Sequence, residues 1–419
     1  MPSAKKPFYG WKLAATFFGI GLINFAFPFY GGSLINVYMA EALGFSRTLL
    51  GSAVTVFMFT IGLAAVLAGY IVERFSIKMS ILLGITTLMV TALLMSTVVA
   101  NAWQFVLVFG VIGGTGSALA NLVPIQTGIN LWFRQRKAMV IAIVMCAAGV
   151  GAMIVTPLVQ WVIDASSGDW RAAWLLILAA LCISWLLSAL FIVNRPEDIG
   201  QKIDGGDDAS KDGEVPSASK VYKTLESWTL KEALSSRTYW ILVYASVAFI
   251  LVFNLAVAHG VAHLRDQGID PDLAALSLGL LVLFSIIGRL AAGVLGDRIE
   301  LRFIWAIAIS FCAAGILLLL YTDTSSAVYL YCLLTGVGFG ASFVASSALV
   351  GNYFGQEAFA SLYGISSAFA ATLGATSPLL AGLIYDASGS YQAAIYVVAL
   401  IAALAAVLTP FATPPVKAR

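Results

Sequence analysis

The chain has 419 residues, of which 60% are hydrophobic and only 11% charged, with a mean hydropathy of +0.94. Soluble domains carry about a quarter charged residues, so this composition excludes a water-soluble globular protein and predicts an integral membrane protein. A net charge of +2 gives no argument for a nucleic-acid partner, and two histidines and four cysteines offer no metal-ligand spacing.

About 20 apolar residues cross the hydrocarbon core as a helix, so runs of that length bounded by charge or turn residues mark the spans. They fall at 11–37, 49–72, 79–100, 103–131, 138–163 and 172–194, then at 238–263, 273–297, 302–321, 326–351, 358–385 and 391–412. The expected fold is all-α, with twelve transmembrane helices in two pseudo-symmetric six-helix bundles. The first run follows Lys5 and Lys6, is long and lacks a small-residue cleavage site, so it reads as a retained span and not as a signal peptide. Cys146, Cys182, Cys312 and Cys332 lie inside spans, where small thiols are ordinary and disulfides are not expected.

Cytoplasmic segments accumulate Lys and Arg. With the N-terminus inside, the inward segments hold 19 of the 23 basic residues, and the outward ones only Arg47, Arg171 and Arg265. Both termini are therefore expected in the cytoplasm, in the plasma (inner) membrane. The expected domains are a bundle over 1–194, a linker over 195–236 and a second bundle over 237–419. The linker's centre, GGDDASKDGE, is too polar and Gly-rich to bury a core and reads as flexible. Its end differs: Thr229 and Glu232 have the spacing of a capping box, which predicts a short interfacial helix with Trp228, Leu230 and Leu234 on the membrane surface.

The two sides of the linker match one another. Gly69, Glu73, Arg74 and Lys78 recur 224 residues later as Gly293, Asp297, Arg298 and Arg302. Asp164, Gly168, Trp170, Ala172 and Ala173 recur at an offset near 222 as Asp386, Gly389, Tyr391, Ala393 and Ala394, and Pro157 matches Pro378. Two six-span halves in the same orientation imply bundles related by an axis along the membrane normal, with the substrate site between them.

The repeated G-x-x-x-[DE]-R-x-x-x-[KR] resembles the cytoplasmic loop signature of the major facilitator superfamily. That resemblance implies the major facilitator fold over the whole chain and a charge network, built on these eight residues, that latches the cytoplasmic helix ends in one state and releases them in another. Gly69 and Gly293 would let the helices approach closely there. Tyr9-Gly10-Trp11, Ala26-Phe27-Pro28, Gly288-Arg289 and the run TLKEALSSRTYW resemble, more narrowly, the monocarboxylate transporter family and its bacterial relatives, which include the oxalate:formate antiporters. Three positions depart from those families. Phe29 stands where animal monocarboxylate transporters carry a lysine, Ser285 stands where they carry an aspartate, and span eleven lacks the lysine of the oxalate carriers.

Arg289 survives these departures, alone in an apolar segment. A guanidinium cannot deprotonate to escape a low dielectric, so an intramembrane arginine marks a pathway. Asp297 lies eight residues on, which puts Arg289 ~12 Å from the helix end and near the bilayer midplane. With no Asp or Glu in any span interior, a charge of about +1 calls for one carboxylate held bidentately; the alternative is an arginine satisfied by backbone carbonyls or water. Asn121 in span four lies at a similar depth and would donate to a carboxylate or an α-hydroxyl, or else bond a neighbouring helix. By superfamily analogy Asn24 and Asn254 line the cavity, and Phe25, Phe27, Phe29, Phe339 and Phe343 are candidate walls, with plain packing as the alternative. His259 and His263 share one face of span seven. His259 is the candidate proton carrier, since imidazole exchanges a proton near neutral pH.

The function expected is secondary active transport of a small monocarboxylate of the lactate, pyruvate or acetate kind, with a proton, by alternating access of a monomer in the lipid bilayer. An anion exchanger of the oxalate and formate type, or a proton-driven exporter of amphiphiles, is the alternative within transport. The sequence holds no nucleophile–base pair, metal cluster or phosphate loop, so neither an enzyme nor a cofactor is expected. The Gly-rich stretches GVIGGTG and GVGFG predict close helix approach, for sliding or for static packing.

Overall fold

A computed structural model describes residues 7–206, 221–224 and 226–417. The chain is 84% helical and is a multi-pass membrane protein. Among the described residues, twelve helices are long and apolar enough to cross a membrane. Spans one to six are Gly10–Leu43, Leu49–Arg74, Ile77–Thr97, Ala102–Trp132, Lys137–Ala165 and Trp170–Phe191. Spans seven to twelve are Arg237–Asp266, Pro271–Gly296, Leu301–Tyr321, Ser325–Phe354, Phe359–Ser388 and Gln392–Phe411.

Two compact units divide the chain, Met1–Ser219 and Lys220–Arg419. In the first, span four packs on spans two and three, span three on span six, and span one on span five. In the second, span ten packs on spans eight and nine, span nine on span twelve, and span seven on span eleven. The shared pairing has a residue-level cause in the glycine runs. A Cβ at Gly114 would lie 2.7 Å from the Phe57 carbonyl and one at Gly116 3.0 Å from that of Gly84. A Cβ at Gly336 would lie 2.6 Å from the Leu281 carbonyl and one at Gly338 2.5 Å from that of Ala308. Backbone meets backbone at both seams in each unit, as small residues permit.

The second repeated motif is a left-handed turn. Gly168 (φ +88°) and Gly389 (φ +70°) follow spans five and eleven, a backbone region where glycine avoids the Cβ clash. Their N–H groups donate to the carbonyls of Ile163 and Tyr385.

Of the linker, residues 207–220 lie outside the described set, and with them most of GGDDASKDGE. The part before them docks on the first unit: Gln201 accepts from the Tyr9 N–H at 2.9 Å, and Asp204 accepts from the backbone of Arg134 and Gln135 at 3.0 Å. The helix Leu230–Leu234 forms with the reciprocal capping box of Thr229 and Glu232. Trp228 departs from its expected place on the membrane surface. It is 3% exposed, edge-on to Phe354 at 5.5 Å, because Thr224 donates to the Asn352 carbonyl and draws this segment across the end of span ten.

Candidate functional site

Arg289 occupies the seam between spans eight and ten. A Cβ at Gly288 would collide with the Val337 carbonyl, and one at Gly340 with that of Ser285. The backbones therefore touch, and Arg289 beside Gly288 faces Phe339 beside Gly340. Its guanidinium carbon lies 5.9 Å from the Phe339 ring centre and 5.6 Å from that of Phe343, within cation–π reach, and the residue is 8% exposed. Phe253 stacks on Phe339 at 3.7 Å, and Phe249 approaches the same ring at 5.7 Å. Phe339 and Phe343 thus wall the guanidinium, with Phe249 and Phe253 packed on Phe339; an apolar wall strengthens a cation's interaction with an anion.

Ser285, one turn away, is buried and donates its hydroxyl to the Val282 carbonyl at 2.7 Å. Arg289 stands seven residues before the end of its helix, about 8 Å from the helix midpoint at ~1.5 Å per residue. The helix carboxylates Glu41, Glu73, Asp164, Asp266, Asp272 and Asp386 all fall within a turn of a helix end.

Asn24 and Asn121 meet inside the first unit. Pro124 has no N–H for the carbonyl four residues back, that of Ala120. The Asn24 and Asn121 amides cross between the two helices. Asn121 Nδ2 donates to the Asn24 carbonyl at 3.2 Å and to that of Ser117 at 3.0 Å, and Asn24 Nδ2 reaches the Ala120 carbonyl at 3.5 Å. Ser184 donates to Asn24 Oδ1 at 2.6 Å. The helix breaks at Asn121 (φ −120°, ψ −102°), and span one is a π-helix over Leu22–Gly31. Helix bonding thus uses both amide nitrogens, and Asn121 Oδ1, buried and without a hydrogen bond among the described residues, remains as an acceptor. Asn254 belongs to the second unit; half-buried in span seven, it lies against Gly374 of span eleven.

His259 bridges spans seven and eleven. Its Nε2 is 2.9 Å from the Pro378 carbonyl, which only accepts, so Nε2 carries hydrogen. Its Nδ1 is 3.2 Å from the Tyr391 hydroxyl, which donates to a neutral ring and accepts from a protonated one. The contact survives either charge state. Tyr385 stacks on Tyr391 at 4.3 Å and donates to Asp266 at 3.4 Å. His263 is buried against the Leu319 carbonyl at 3.1 Å.

Of the repeated charge motif, Lys78 and Arg302 make matching bonds. Lys78 Nζ donates to the Ala189 carbonyl in the last turn of span six, and Arg302 Nη1 to that of Pro410 at 3.2 Å in the last turn of span twelve. Each basic group satisfies a carbonyl left open at a helix C-terminus. Glu73, Arg74 and Arg298 are exposed, Asp297 is half-buried, and Gly69 and Gly293 are buried.

Four contributors were not apparent from sequence. Glu300 accepts from the Tyr353 hydroxyl at 2.8 Å and the Tyr222 N–H at 2.9 Å; its counterpart in the first half is Ser76, so the repeat did not mark it. Phe249 and Phe253 carried no signal among 25 phenylalanines. Tyr391 had one: it replaces Trp170 in the repeat and adds a hydroxyl in the half that holds both histidines.

The chain is similar to the uncharacterized MFS-type transporter YcxA of Bacillus subtilis, at 24% identity over 94% of this chain and 93% of that protein. It is 23% identical to monocarboxylate transporter 2 of Mesocricetus auratus over 92% of this chain and 80% of that one. The solved structure of the E. coli fucose:proton symporter FucP has the same fold, with a TM-score of 0.71 and 15% identity over 96% of this chain and 98% of that chain. The chain is thus related to monocarboxylate transporters at low identity. The family model of the Major Facilitator Superfamily matches residues 13–375 and 260–419, and the chain belongs to that family, which is one of transporters and not of enzymes.

Proposed function

We propose that the chain carries a small monocarboxylate of the lactate, pyruvate or acetate kind across the plasma (inner) membrane together with a proton. Two bundles, 1–194 and 237–419, joined by the linker 195–236, would alternate in exposing the site, with both termini in the cytoplasm and a monomer as the working unit. The observation that carries this reading is Arg289, a buried guanidinium walled by Phe339 and Phe343, in a chain related to monocarboxylate transporters along nine-tenths of its length. A planar fork of donors suits one carboxylate, and phenyl walls suit a short apolar tail. Asn121 Oδ1 would accept a substrate hydroxyl, with Asn24 holding Asn121 in place and Asn254 lining the path. His259 Nδ1 would take the proton, which keeps substrate and site neutral together during the conformational change. Glu73, Arg74 and Lys78, with Asp297, Arg298 and Arg302, would form the cytoplasmic latch.

Proteoliposomes given labelled lactate, pyruvate, acetate, formate and oxalate at two pH gradients test this. An inward proton gradient is expected to drive monocarboxylate uptake, Arg289→Ala to abolish it, and His259→Gln to remove the gradient's effect. Uptake retained by Arg289→Ala would overturn the site. Oxalate counterflow indifferent to the gradient would replace the symporter with an exchanger.

A further inference from the structure

The second unit carries, at the end where span seven begins, a cavity of about 590 Å³ that transport of a small anion does not use. The helix Leu230–Leu234, the first turn of span seven and the tail 413–417 enclose it, and Thr238 donates to the Thr413 carbonyl at 2.8 Å to hold the tail in place. Lys231, Arg237 and Lys417 line it against one carboxylate, Glu232. Glu232 is already occupied, 3.1 Å from the Lys417 ammonium. The exposed side chains of Lys231 and Arg237 make no hydrogen bond or ion pair among the described residues, so the cavity presents two available cations.

An apolar groove of about 490 Å³ lies between spans seven, eleven and twelve, its lining beginning at Trp240, three residues after Arg237. Trp240, Tyr244 and Leu251 of span seven line it, with Leu373 and Leu380 of span eleven and Val397 of span twelve. Arg237 stands two helical turns before Tyr244 and so on the same face. Trp240 is 44% exposed and donates its indole N–H to the Leu234 carbonyl, the placement of an aromatic at a membrane boundary. The groove runs ~16 Å along span seven, from Trp240 to Leu251, and ~22 Å along span eleven, from Phe369 to Ile384, the length of an acyl chain.

We propose that this cavity and groove form one site for an anionic phospholipid, its phosphate held by Lys231 and Arg237 and an acyl chain lying in the groove. Basic pockets at the rim of a helix bundle take acidic headgroups. The groove distinguishes a lipid from free phosphate, because inorganic phosphate would use the cations and leave the apolar walls bare.

Native mass spectrometry of the full chain in detergent tests it, titrated with phosphatidylglycerol, phosphatidylcholine of the same chain length, or inorganic phosphate. Phosphatidylglycerol is expected to bind in preference to phosphatidylcholine. Lys231→Gln with Arg237→Gln should weaken phosphatidylglycerol roughly 30-fold and phosphatidylcholine little, while Lys231→Arg with Arg237→Lys keeps the preference and controls for folding. Val397→Trp, which fills the groove, should weaken both lipids. Equal binding of the two lipids by the unaltered chain would overturn the site. So would a preference that survives loss of both cations, or displacement of the lipid by inorganic phosphate at equal concentration.

Discussion

The seam between spans two and four and the seam between spans eight and ten descend from one repeat but differ at a single level. Gly114 in one and Gly336 in the other let backbones meet. One turn further, the second seam has Gly288 and Gly340 where the first has Ala64 and Ala118. There the second seam closes to backbone contact, and Arg289 stands beside it where the first half has Ala65. The helices around the two seams differ as well. Spans one and four are interrupted, by a π-helix and by the break at Asn121, whereas spans seven and ten each run unbroken for 30 residues. The second unit thus sets Arg289 between unbroken helices, while in the first two interrupted helices are tied together by amides. Irregular helices mark places that change shape, and stiff ones keep a charged group in register.

The strongest way to break the contrast is at the charge itself. Arg289→Ala is expected to lower the uptake rate at limiting substrate by two orders of magnitude or more, since two charge-assisted hydrogen bonds contribute roughly 3–6 kcal/mol. Arg289→Lys should recover only part of it, because an ammonium lacks the planar fork. If the lysine variant matched the original, geometry at the seam would be irrelevant.

Gly340→Ala makes the second seam resemble the first. The added methyl meets the Ser285 carbonyl, so the spans must separate, at a cost of about 1–3 kcal/mol in thermal unfolding together with a rise in substrate KM. Unchanged KM would detach Arg289 from the close packing.

In the first unit, Asn24→Ala strips the Ser184 hydroxyl and the Ala120 carbonyl of partners and should destabilise by about 1–3 kcal/mol. Pro124→Ala restores the missing N–H, so in that background Asn24→Ala should cost ~1 kcal/mol less, read as a double-mutant cycle. Additive costs would mean that the amide does not repair the proline break.

The smallest effect expected lies at the rim of the second unit. Glu232 accepts the Thr229 N–H and a hydrogen bond from Lys417, which hold its carboxyl below the usual glutamate range. A lowered value means the contact is complete at neutral pH and is lost only as pH falls through that value. Glu232→Gln should therefore speed amide hydrogen exchange in residues 413–417 a few-fold at neutral pH and leave transport intact. Exchange equal to that of the original chain would show that the tail is held by other contacts.

How much of this was legible beforehand follows from the kind of signal. Span number, half-repeat and the lone Arg289 are properties of consecutive residues, and the cost of polar groups in hydrocarbon writes them plainly into the chain. Rotation about each helix axis is not written there. Lipid and protein interior are both apolar, so a span is apolar on every side and shows no stripe to mark its inward face. Asn24 and Asn121 were therefore visible as polar residues near mid-span, but their crossed bonds were not. Trp228 looked like a surface anchor until the segment before span seven was seen folded across span ten. The sequence by itself determined the architecture and the arginine inside span eight. Only the tertiary structure decided which rings surround that cation, which hydroxyl holds His259 and which carbonyls the two asparagines repair, because those depend on the facing of helices distant in the chain.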